Sequence, residues 1–65
     1  MDALNLAQYL LKSVRERDAR LKDKLADGSI QTLEEYRYIV GQIRCMSYVE
    51  DEIKVAMKGI EYADD

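Results

Sequence analysis

Few side chains in this 65-residue chain carry groups that could do chemistry, and their spacing decides against most of it. Cys45 is the only thiol, and the chain has no His. Nucleophilic catalysis of the Cys-His kind is therefore excluded, which leaves a structural thiol. Asp18 and Glu50 are carboxylates set into otherwise apolar ladders. To work as an acid/base couple they would need a proton-transfer partner, a pocket and an oxyanion-type donor, and the sequence supplies none. Glu50-Asp51-Glu52 has the donor type for a hard divalent cation, but adjacent residues on a helix point in different directions and cannot converge on one ion. Met46 and Met57 stand at helical spacing and read as packing rather than as a ligand box. Gly28-Ser29 has no strand before it, so it is no phosphate loop. A chain of this length is also expected to lack room for a pocket of roughly 300 Å³. The expectation is a non-enzyme with no catalytic residue, cofactor or metal.

The residues that carry information are those that must position one helix against another. Leu4, Ala7, Leu11, Val14, Asp18, Leu21 and Leu25 step by three and four, and so do Tyr36, Ile39, Ile43, Met46, Glu50, Ile53, Met57 and Ile60. That alternation keeps a stripe on one side of an α-helix and, sustained over several turns, makes a coiled-coil seam. The chain has no Pro and only three Gly, and its Ala, Leu, Glu, Lys and Arg content favours helix throughout. The fold expected is all-α, a single antiparallel two-helix hairpin over residues 1–65, completed by oligomerisation into a helical bundle. A chain this small buries a low fraction of its surface, which makes partner subunits the natural source of further stability.

Element boundaries are marked by capping chemistry. Asp2 can cap the first helix, expected over about residues 3–26, and Asp27-Gly28 can stop it because Gly takes the left-handed conformation that helix ends favour. After a turn at 27–32, Thr32-Leu33-Glu34-Glu35 matches a capping box, with the Thr32 hydroxyl on the amide of residue 35 and the Glu35 carboxylate reaching back. The second helix is expected over about 33–61, on the order of 40 Å long, with fraying from Gly59 to Tyr62 because Asp64-Asp65 opposes the helix dipole. So short a connection forces the helices to be antiparallel neighbours.

If Leu25 lies beside Tyr36, Asp18 falls near Ile43 and Arg44, and Glu50 near Leu11 and Lys12. The expected ion pairs are then Asp18 with Arg44 or Arg17, and Glu50 with Lys12 or Lys54, fixing register at some cost in stability. Net charge is −3, but it is unevenly placed. Lys12, Arg15, Arg17, Arg20, Lys22 and Lys24 make the first helix basic, while the second is acidic. Lys and Arg could contact phosphate, yet the acidic helix lies alongside and no nucleic-acid motif accompanies the charge, so nucleic acid is disfavoured as a partner.

A second stripe runs along the other flank of the second helix: Gly41, Cys45, Tyr48, Glu52, Val55, Gly59 and Tyr62. One neighbouring helix cannot cover both flanks. Gly inside an exposed helix costs about 1 kcal/mol relative to Ala, so Gly41 is easiest to understand where another backbone or ring packs closely. Tyr offers a large contact area while its hydroxyl stays wet. Gly41, Cys45, Tyr48, Val55 and Tyr62 are therefore the expected protein interface. The partner is a second copy of the chain, a larger structural protein, or both. No apolar run is long enough to cross a bilayer, and no basic segment leads into a hydrophobic one at the N-terminus. With a lone thiol favouring a reducing compartment, the expected location is the cytoplasm.

The run Tyr36-Arg37-Tyr38-Ile39-Val40-Gly41-Gln42-Ile43-Arg44, then Tyr48-Val49-Glu50-Asp51-Glu52-Ile53-Lys54, with the Asp27-Gly28-Ser29 turn, resembles the small helical-hairpin proteins of tailed bacteriophages. The resemblance extends from about Leu10 to Met57; where such sequences often carry a Gly after the Tyr-Arg run, Cys45 stands here. It implies a virion or assembly accessory protein acting through helix–helix contact with itself or a larger phage structural protein, in the cytoplasm of a host cell with the virion as a further site, and brings no catalytic residues with it. The alternative is a small regulatory protein that binds and inhibits a host protein.

Overall fold

The computed structural model describes residues 2–63, with the side chains of Tyr62 and Ala63 outside the description. Helix α1 spans Ala3–Ala26 and helix α2 spans Leu33–Ala63; no strand occurs among the described residues. The two pack side by side and antiparallel as a rod with extents of 51 × 16 × 14 Å.

Each end is built by the residues that flank it. Asp2 has extended backbone, and its Oδ1 accepts from the Asn5 amide at 2.7 Å. The Asp27 amide donates to the Asp23 carbonyl at 2.9 Å, and Gly28 then turns the chain at φ +80°. Ser29 donates its amide to Asp27 Oδ1 at 2.8 Å, an Asx turn. Hydrogen bonding from the Ser29 side chain and amide holds the Asp27 carboxyl below its usual range. At the start of α2, Glu35 donates its amide to Thr32 Oγ1 at 3.0 Å. The reciprocal bond from the Thr32 amide to the Glu35 carboxylate is not formed among the described residues, so only half of the capping box exists. Helix α2 continues through Gly59 to Ala63 rather than giving way from Gly59 onward. A penalty of about 1 kcal/mol for one Gly is outweighed by the strong formers around it. Asp64 and Asp65 lie outside the described residues.

The core is thin. Ala7, Leu21 and Ile39 are buried, while Leu4, Leu11, Val14, Leu25, Ile43, Met46, Ile53, Met57 and Ile60 are half-buried, together with Asp18 and Glu50. Tyr36, the first residue of the second ladder, is 50% exposed. Its place explains this: with Arg15 bonded to Glu50 across the helices, the antiparallel register sets Tyr36 level with the connection and not with Leu25. One helix pair gives each element a single neighbour, so no side chain among the described residues reaches full burial.

Candidate functional site: the outer face of the second helix

The seam first shows what is already used within the chain. Glu50 accepts from Arg15 Nε at 2.8 Å and pairs with Lys54 Nζ at 3.3 Å; Asp18 pairs with Lys22 at 2.8 Å, one turn on along α1. Of the expected partners only Lys54 is present. Arg15 replaces Lys12 because the register differs by about one turn, and Lys22 replaces Arg44 and Arg17 because the i, i+4 geometry on one helix brings ammonium and carboxylate together without bridging the gap. Glu50 is held below the usual glutamate range, first by hydrogen bonding from Arg15 and then from Lys54. Lys22 is raised, chiefly by its bond to Asp18 and the attraction that goes with it. Asp18 and Glu50 share a cleft of about 200 Å³ with Val14, Ile43 and Met46. Both carboxylates are thus engaged by neighbouring cations, and of the three pairs only Arg15–Glu50 spans the two helices.

A larger hollow corrects one expectation. An open groove of about 560 Å³ runs beside α1, lined by Gln8, Leu11, Lys12, Arg15, Glu16, Ala19 and Met57. Two helices of uneven side-chain length leave such a trough wherever a small residue such as Ala19 faces long ones. It is open to water, and Lys12, Arg15 and Glu16 set charge beside the apolar Leu11 and Met57.

On α2 the face turned away from α1 carries Gly41, Cys45, Tyr48, Glu52, Val55 and Gly59, all exposed, with Tyr48 and Val55 each at 65%. The backbone of Tyr62 extends the same row, and its side chain lies outside the described residues. A Cβ built on Gly41 or Gly59 would meet nothing within 4 Å among the described residues. The seam residues Leu11, Val14, Asp18, Leu21, Leu25, Ile39, Ile43, Met46, Glu50, Ile53 and Met57 lie on the opposite, covered side.

Sequence reasoning missed part of this surface. Tyr38, at 69% the most exposed large apolar residue, stands three residues before Gly41 and opens the same outer row. The three-four spacing could have found it, had the stripe been followed backward. A separate patch on α1 comprises Leu6, Tyr9 and Leu10, at 48%, 61% and 43% exposed; its i, i+3 and i, i+4 spacing was equally visible. Leu33, at 61%, stands apart at the start of α2.

Among the described residues no group of three or more His, Cys, Asp or Glu could hold a metal ion, and no helix is long and apolar enough to cross a membrane. Cys45 is free and exposed. No family model, curated protein or solved structure matches the chain.

Proposed function

We propose that this chain is a non-enzymatic helix–helix interaction module, in which the hairpin seam holds α2 straight and its outer face docks a helical partner. The supporting observation is that face itself: Tyr38, Tyr48 and Val55 are each about two-thirds exposed and stand in one row with two glycines that nothing among the described residues approaches. Amphipathic helices recognise partners through such anchors at i, i+3, i+4 and i+7. The partner is a second copy, a larger structural protein, or both. The resemblance of the Tyr36 to Lys54 run to hairpin proteins of tailed bacteriophages supports a virion or assembly accessory role for the module.

Light scattering over a wide concentration range, with circular dichroism on the same samples, tests the docking face. The wild-type chain should be a helical oligomer, and Tyr48→Glu with Val55→Glu should reduce its mass while leaving helicity in place. Unchanged mass in that double variant would remove the outer face of α2 from the proposal.

A further inference from the structure

Another row runs along α1. Leu6, Leu10, Ser13, Arg17, Arg20 and Lys24 step by four and three, so they share one side of the helix, and all are exposed. The two halves of the row differ in chemistry. Leu6 and Leu10, with Tyr9 beside them, are apolar, while Arg17, Arg20 and Lys24 are basic and form no ion pair among the described residues. The nearest acids along α1, Glu16 and Asp23, border the row on one edge and bond to none of its bases, which leaves all three for a partner. The helix dipole accounts for Lys24 in the last turn, but its pull fades within that turn, and Arg17 and Arg20 stand before it.

Shape and charge choose between occupants. The row is a straight line about 27 Å long, which another helix can follow. An anionic membrane or a nucleic-acid duplex is broader than one helix and would also feel the acidic α2 alongside, since the rod is only 16 × 14 Å in section and charges act over a Debye length of about 8–10 Å. The net charge of −3 opposes both. A single helix, about 10–12 Å across, meets the row alone. We infer that the row is a second docking surface, separate from the outer face of α2, and that it takes an acidic amphipathic helix of another protein. Apolar side chains of that helix cover Leu6, Tyr9 and Leu10, and its carboxylates answer Arg17, Arg20 and Lys24. Because the row is apolar at one end and basic at the other, the partner lies on it in one direction only.

The probe is a synthetic helical peptide of about three heptads, with Leu on one half of a face and Glu on the other, set against the same peptide with Lys for Glu. Fluorescence anisotropy on the full chain should show the Glu peptide binding more tightly than the Lys peptide by on the order of tenfold. Arg17→Glu with Arg20→Glu alters exposed side chains without ion-pair partners, so it should keep the far-ultraviolet circular dichroism of the wild type while reversing the preference. The Tyr48→Glu, Val55→Glu double variant should bind the Glu peptide as the wild type does; loss of binding there would seat the peptide on α2 and overturn the row as its site. Equal affinity for the two peptides, or no binding of the Glu peptide, would overturn the acidic helix as occupant. So would tighter binding to phosphatidylglycerol vesicles or duplex DNA that the Arg17, Arg20 variant loses, or a fall in self-association in that variant, which would assign the row to a second copy. None of these outcomes touches the docking role of the outer face of α2.

Discussion

Glu50 and Gly28 show how differently single residues can be read. Gly28 adopts φ +80°, where only Gly is unstrained, and its position after Asp27 announces that role in the sequence. Glu50 announces only that a charge interrupts an apolar ladder. Which cations answer it depends on a register that a heptad pattern leaves open to a shift of one turn, since apolar positions recur at every turn. The structure chooses Arg15 and Lys54. With its folded-state value lowered from 4.5, Glu50 adds stability above the unfolded value and loses it as pH falls through the folded one. The thermal midpoint should therefore drop on acidification below 4.5. In Glu50→Gln that acid limb should be shallower, the remaining slope coming from carboxylates such as Asp27, whose value is also lowered. Thermal melts of both proteins from neutral to acid pH check this, and parallel limbs would show that Arg15 and Lys54 give Glu50 no net preference for the charged form.

At the scale of the element, each helix depends on one covered stripe. Ile39 is 6% exposed, the least of any described residue, and it stands where α2 first meets α1. Replacing a buried Ile by Ala removes transfer energy and leaves a cavity, about 2–4 kcal/mol. A core this small supplies only about 3–5 kcal/mol in all. Ile39→Ala should consequently lose most of its helical circular dichroism at room temperature, whereas Tyr38→Ala, one position away but 69% exposed, should keep it. Equal helicity in the two variants would mean the seam contributes less than its burial implies. The element scale is also where sequence reasoning reached furthest: residues with strong local preferences, such as Asp2, Thr32 and Gly28, act on their own neighbours and need no tertiary information. Tyr36 belongs to the ladder by spacing and yet is half exposed, because coverage depends on what lies across from it.

For the whole molecule, the governing quantity is surface. A rod of two helices has no second layer, and its exposed row of Tyr38, Tyr48 and Val55 is apolar area that a partner would remove from water. Binding that favours the folded state raises stability by mass action. The thermal midpoint of the wild-type chain should therefore rise with protein concentration, and it should be independent of concentration in the Tyr48→Glu, Val55→Glu double variant. Differential scanning calorimetry over a hundredfold range of concentration measures both; a constant midpoint in the wild-type chain would mean that the hairpin folds without help from a partner.

The sequence by itself determined that the chain is all-helical in two segments and which stripe of each helix turns inward, because capping groups and a three-four apolar period act locally and hold in any register. Only the tertiary structure decided that Arg15 reaches Glu50, that Asp18 turns to Lys22, and that Tyr36 faces water. Those outcomes depend on the axial offset between two helices, and that offset is set by the sum of many weak side-chain contacts across the seam rather than by any single residue along it.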